Sequence, residues 1–179
     1  RQSHIKTILS NTGRYDLWLS QNNLHHNHLS KLIKLILIDQ NLQHWSSSLE
    51  NSHKGRNFAM FKENIVLEEY LLKLRTNEAL CMIKFRTGNH HFPIETGRWE
   101  NIDFHDRRCQ LCDATDPPDE IHYLLKCPYF NETRKLYIKP YYINTPNTIK
   151  FKELLNTSNI NQLNKLSKFI KILLTNVKR

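Results

Sequence analysis

Glycine is scarce in this chain, with only four among 179 residues. Apolar residues recur at helical spacing, and the two features together predict a mainly α protein. No apolar run reaches the ~18 residues that a membrane-crossing helix needs. The nearest approach, LIKLILI (32–38), is too short and carries Lys34, so no membrane partner is expected. Acidic residues stop at Glu153, after which Lys165, Lys168, Lys171, Lys178 and Arg179 follow. No secretory signal sequence is visible in these residues, so structural disulfides are not expected and an intracellular setting, nuclear or cytoplasmic, is. The first residue is Arg1 rather than Met, so the chain is expected to be a fragment or a trimmed product. Cysteine is also rare, four in all, and its distribution is the most informative feature of the sequence.

Three of the four cysteines fall in one segment, RRCQLCDATDPPDEIHYLLKC, which reads C-x2-C-x9-H-x4-C through Cys109, Cys112, His122 and Cys127. Three thiols and an imidazole are the donor set of a closed, four-coordinate structural zinc site. The two-residue gap lets one tight turn present Cys109 and Cys112 to a single ion, and the loop DATDPPD returns the chain to deliver His122 and Cys127. One structural Zn2+ is the cofactor expected. Two plainer readings remain open: a CxxC redox pair with an incidental histidine, or ordinary reduced side chains. Cys81, among apolar residues in EALCMIKF, reads as a small core residue. With all four positions filled by protein, a zinc site of this type offers no place for a reacting water, so metal catalysis is not expected.

Local geometry sharpens the expectation. Asp119 can cap a helix through EIHYLLKC, and Pro128 ends it. His122 and Cys127 are five residues apart, about 140° round an α-helix of ~3.6 residues per turn, and would not share a face. Cys127 is therefore expected at a frayed last turn, swung back toward the ion. Tyr123, Leu124 and Leu125 would pack the domain behind it. Arg107 and Arg108 precede the first ligand, where they would offset thiolate charge, face a phosphate, or simply be solvated.

Net charge is +9 and the pI near 9.4, which favours an anionic partner, nucleic acid first. The run RTGNHHFPIETGRW (86–99) reads as an irregular connection that concentrates Arg86, His90, Arg98 and Trp99. Basic and aromatic groups on a loop can clamp phosphate and stack a base, or can pack as a prop for the metal segment. With Arg107, Arg108, Lys165, Lys168 and Lys171 they make the candidate nucleic-acid contacts.

Three divisions are expected: an N-terminal helical segment and linker (1–57), a helical domain around the cysteine cluster (58–155), and a basic amphipathic C-terminal helix (156–179). The first contains a polar histidine cluster, LHHNH (24–28), read as a solvated loop or helix end. A helix follows over 28–45, with Leu29, Leu32, Ile33 and Ile36 on one stripe, widened by Leu35, Ile38, Leu42 and Trp45. SSSLENSHKGRN (46–57) reads as a linker. In the second division, a helix is expected over 58–74, with Phe61, Ile65 and Leu72 among its apolar positions. Thr76 would cap the next. Thr145 and Pro146 would open a helix in TPNTIKFKELLN. In the third, Ser158 would cap a helix with Leu163, Leu166, Ile170, Leu173, Leu174 and Val177 inward.

The run from FRTGNHHFPIETGRW through RRCQLCDATDPPDEIHYLLKCPYF resembles the C-terminal region of non-LTR (LINE-type) retrotransposon reverse transcriptases. The phrases NH-x-x-PIE-x-GRW, R-x-C-x-x-C, an acidic pair before x-His-Tyr-Leu and the closing Cys-Pro carry the likeness, over about 58–155. The resemblance implies zinc on Cys109, Cys112, His122 and Cys127. It also implies a role in holding template RNA or target DNA beside the remainder of a reverse transcriptase polypeptide. The chain lacks a Y-x-D-D sequence and a nuclease-like acidic cluster, so it is expected neither to polymerise nor to cut, and no small-molecule substrate is expected. The alternative is a protein-interaction scaffold that docks on a polymerase or a host factor.

Overall fold

The computed structural model describes residues 2–20, 26–52, 56–62 and 64–177. All regular structure among them is helical, and none of their helices is long and apolar enough to cross a membrane. The chain divides into two compact units, 1–51 and 52–179.

The first unit holds α1 (Gln2–Asn11), α2 (Tyr15–Ser20) and α3 (His26–Glu50). Gly13, at φ +70°, ends α1 in the left-handed conformation that glycine adopts without strain. The Arg14 N–H donates back to Leu9 O and the Gly13 N–H to Ser10 O, which satisfies two carbonyls of the last turn. The Gln40 amide of α3 donates to Asn11 O at 3.0 Å. Leu29, Leu32, Ile33 and Ile36 are the half-buried stripe of α3, whereas Leu35, Ile38 and Leu42 are exposed. The predicted linker begins late, because Ser46–Glu50 continue α3. His28 lies exposed in its first turn, while Leu24 and His25 fall outside the described residues.

The second unit runs α4 (Arg56–Phe61), α5 (Glu69–Lys73), α6 (Thr76–Arg86), α7 (Pro93–Trp99), a short 3-10 turn (Phe104–Asp106), a π-helical turn (His122–Lys126) and a second 3-10 turn (Pro128–Phe130). It ends with α8 (Asn131–Tyr137), α9 (Pro140–Ile143), α10 (Thr148–Leu155) and α11 (Ile160–Asn176). α11 packs most extensively on α6 and then on α8. Its stripe of Leu163, Leu166, Phe169, Ile170, Leu173 and Val177 is buried, as predicted with Phe169 added, while Leu174 is only partly covered. Met82 and Phe85 of α6, Phe151 and Leu154 of α10, and Tyr123, Leu124 and Leu125 fill the same core. The helix that the sequence sets apart as 156–179 thus shares its buried face with residues on both sides of the cysteine cluster.

Several local expectations are corrected. The helix predicted over 58–74 is two short helices. Between them Lys62 folds back, donating to Val66 O and pairing with Glu68 at 2.7 Å, across the β-branched pair Ile65–Val66. Tyr70 and Leu74 rather than Ile65 and Leu72 reach the core. The irregular stretch expected over 86–99 shrinks to 87–92: Arg86 closes α6, and Pro93 occupies the first helical position of α7, where its missing N–H costs nothing. The caps of α10 and α11 are Asn147 and Asn159, whose side chains accept from Lys150 N and Gln162 N. Asparagine competes fully with serine and threonine for that role. Thr76 is the first residue of α6, not its cap.

Candidate metal centre

Cys109, Cys112, His122 and Cys127 converge, with one donor atom from each lying within 4.8 Å of all the others. These four residues could hold a metal ion. The Cys109 and Cys127 sulfurs are 3.9 Å apart, those of Cys127 and Cys112 3.8 Å, and Cys112 Sγ lies 3.5 Å from His122 Nε2. The Leu111 N–H donates to Cys109 Sγ at 3.4 Å, so the tight turn of the CxxC pair solvates one sulfur itself. Cys109, His122 and Cys127 are buried and Cys112 half-buried.

The five-residue spacing of His122 and Cys127 is accommodated by a change of helix type, not by fraying. Asp119 Oδ1 accepts from His122 N at 2.8 Å, as the sequence predicts. The turn then widens, and the Cys127 N–H donates to His122 O at 2.7 Å, an i to i+5 bond. A π turn closes on the fifth residue rather than the fourth, which lays Cys127 over His122 instead of 140° away. Pro128 then blocks any continuation.

A buried arginine holds this widened turn. Arg134 is 1% exposed. Its Nε donates to Leu124 O at 2.8 Å, and Nη2 donates to Cys127 O at 2.8 Å and Tyr123 O at 3.3 Å. Nη1 donates to Asn131 Oδ1 at 2.7 Å. The orphan carbonyls of a helix end that cannot reach water thus meet one guanidinium. No spacing rule marks Arg134 in the sequence; an arginine seven residues past a ligand looks like any surface cation.

Electrostatics favours a cation among these sulfurs. Burial opposes ionisation of Cys109, but the nearby Tyr123 hydroxyl, the Leu111 N–H and the neighbouring thiols outweigh it and hold that thiol below its ordinary value. Burial raises Cys112, and burial together with the Cys109 charge pushes Cys127 up to about 12. Burial and the Cys109 sulfur also push the Tyr123 phenol up, so it stays neutral. Were all three sulfurs ionised, a positive ion between them would have to offset their mutual repulsion. Burial lowers His122, opposed by the Asp116 carboxylate, which leaves a neutral imidazole with a lone pair to give.

The predicted nucleic-acid contacts separate into two groups. Arg86 is 1% exposed and lies between the Phe61 and Tyr70 rings, donating to Leu155 O at 2.9 Å and to Glu68 at 3.2 Å. His90 is buried, with Nε2 3.0 Å from Glu120 Oε1 and Nδ1 accepting from Phe92 N. Both are corrected from ligand contacts to internal ties, because desolvated polar groups are spoken for within the fold. The His90–Glu120 pair joins the segment before α7 to the start of the metal-site helix, so both residues sit in the resembling run for a folding reason. Arg98 pairs with buried Glu95 at 2.7 Å. Arg107 crosses α7 and donates to Ile94 O and Ile102 O. A Cβ on Gly97 would meet its stem at 2.8 Å, which explains the glycine in TGRW. Trp99, Arg108, Lys165, Lys168 and Lys171 are exposed.

No protein-family model matches this chain, and comparisons with curated proteins and with solved structures return no match.

Proposed function

We propose that Cys109, Cys112, His122 and Cys127 bind one structural zinc ion and that the domain fixed in this way binds RNA or DNA through backbone phosphates. The donor separations carry the metal reading. Zn–S bonds of ~2.3 Å and a Zn–N bond of ~2.0 Å in a tetrahedron require sulfurs about 3.8 Å apart and sulfur to nitrogen about 3.5 Å. Three of the six donor pairs, at 3.9, 3.8 and 3.5 Å, lie close to that demand, and all six fall within 4.8 Å. The four protein donors leave no open position, so the ion supplies folding energy rather than chemistry.

The nucleic-acid half rests on charge. The net +9 is joined by an exposed row of Lys165, Lys168 and Lys171 on α11. The resemblance to the C-terminal region of LINE-type reverse transcriptases points the same way, toward a module that holds nucleic acid for a polymerase whose catalytic residues lie elsewhere. On this reading the module itself neither polymerises nor cuts, and its reduced thiols suit nucleus or cytoplasm. Elemental analysis of the purified chain should return one zinc per chain. Fluorescence anisotropy against a short single-stranded RNA should show log affinity falling linearly with log salt. Binding that is absent at low salt, or indifferent to salt, would remove the nucleic-acid half and leave the zinc half standing.

One observation favours a second reading, a protein-docking surface on the first unit. Leu35, Ile38 and Leu42 are 65%, 46% and 41% exposed and recur at i, i+3 and i+7 on α3, away from its half-buried stripe. Sedimentation of the chain against an Ile38→Asp variant tests it. A larger species lost in the variant supports a docking face, and a monomer in both cases counts against self-docking.

A further inference from the structure

The groove between the α8–α9 junction and the first turns of α11 has a volume of about 400 Å3 and a lining that includes Lys135, Lys139 and Lys165 and no carboxylate. We propose that it seats a nucleotide unit of a single-stranded nucleic acid, with the phosphate on these lysines. This rests on the nucleic-acid reading above and gives it a location away from the metal centre.

Four features support the site. Its three ammonium groups come from separate elements, α8, the α8–α9 link and α11, so folding alone brings them to one concavity. The amino end of α11, a 17-residue helix, forms part of the wall, and Asn161 there lines the groove. Its aligned peptide dipoles add positive potential. Leu136 and Tyr137 supply apolar and aromatic surface for a sugar or base. Tyr137 is backed by Phe169 at 6.0 Å, with the two rings 13° from parallel. Finally, Lys168 lies one turn beyond Lys165 and continues the cationic path out of the groove. Lys135 pairs with Glu132 at 2.6 Å, but both groups are more than half exposed, and such a pair yields readily to a phosphate.

The choice of a single strand follows from size and surface. A volume of this order fits one nucleotide, and aromatic surface beside cations is how single strands are held without sequence readout. The cysteine-cluster segment is a poor alternative seat, because its loop carries Asp113, Asp116, Asp119 and Glu120.

The test compares the zinc-loaded chain with two double variants of equal charge loss, Lys139→Ala/Lys165→Ala in the groove and Lys34→Ala/Lys84→Ala outside it. All four lysines are exposed, and circular dichroism checks that each variant folds. The probe is a fluorescein-labelled 12-nucleotide single-stranded RNA titrated over a salt series. The groove variant should lose about tenfold at low salt, and its log–log slope should shrink by about 1.4, roughly 0.7 per phosphate contact. The outside variant should stay within about twofold. If the groove variant binds like the parent, the groove is overturned while the general reading survives. If the parent itself fails to bind, both fall. Displacement of the RNA by inorganic phosphate or by a duplex of the same sequence as readily as by unlabelled single strand would also overturn the strand assignment.

Discussion

The segment from Glu95 to Glu132 and the segment from Thr133 to Val177 are built by different forces and carry opposite charge. The first holds nine carboxylates, among them Asp113, Asp116, Asp119 and Glu120, against Arg98, Arg107, Arg108 and Lys126. The second holds Arg134 and seven lysines against the single Glu153. Regular structure is sparse in the first, where polar ties dominate: the four metal-donor side chains, His90 to Glu120, Arg107 to two carbonyls. The second is mostly helix, and its apolar side chains hold it in the ordinary way. The two meet where Tyr123, Leu124 and Leu125 join the common core and where Arg134 reaches back across. The difference teaches that the conspicuous motif and the surface suited to an anion are separate places. The cluster lies in the acidic segment; the helices after it present the positive charge.

Removing the metal should break the comparison hardest. A strong chelator or Cys112→Ser should melt at least residues 86–140, since structural zinc contributes about 10 kcal/mol or more in small zinc domains. Hydrogen exchange should show protection lost there first, with α11 following to the extent that it leans on Tyr123 and Leu124. Unchanged circular dichroism and thermal midpoint after metal removal would refute the folding role.

Next in size is the tie between the regions. Arg134→Ala strands the carbonyls of Leu124 and Cys127 in a dry site and should cost about 3 kcal/mol in denaturant unfolding. Arg134→Lys should recover little, because an ammonium cannot span several carbonyls as a guanidinium does. A lysine variant as stable as the parent would reduce the tie to simple charge.

Acid should act on one side only. Burial sets the folded-state pKa of His122 below the unfolded value, so the unfolded chain binds the extra proton more readily. Stability from this group is complete above about pH 6.5 and is lost as pH falls below it. Metal release joins the same trend, since protons compete for Cys112 and Cys127. Thermal midpoints of the zinc-loaded chain should fall from pH 8 to 5, and a midpoint that holds steady over that range would refute the acid sensitivity assigned to His122 and the thiols.

The smallest effect on stability belongs to the basic face. Replacing Lys165, Lys168 and Lys171 together by alanine should move unfolding free energy by no more than about 1 kcal/mol while weakening RNA binding. A large loss of stability would mean that these side chains are part of the fold.

Different parts of the molecule were legible for different reasons. The four donors follow from spacing and donor chemistry, and the α11 stripe from its 3.6-residue period, because each depends on residues near in sequence. Phe169 is missed only because the reading stops at aliphatic positions. Arg86 and His90 look like loop cations until the fold places the Phe61 and Tyr70 rings around one and Glu120 against the other. Their partners lie as far as 70 residues away, and no local pattern reports such a distance. The break within 58–74 is similarly non-local, since the amphipathic period runs on through residues that the core does not accept.

The π turn between His122 and Cys127 sets a rule of insertion and deletion for this segment. Helical backbones offer donors in whole-residue steps, and this site already uses the widest step that a single hydrogen-bonded turn supplies. Shortening the stretch by Lys126 would leave a four-residue step that an ordinary α turn places on one face. Lengthening it by one residue leaves no helical turn able to bring the two donors together. Length change in this stretch is therefore one-sided: a residue can be spared, and none can be added.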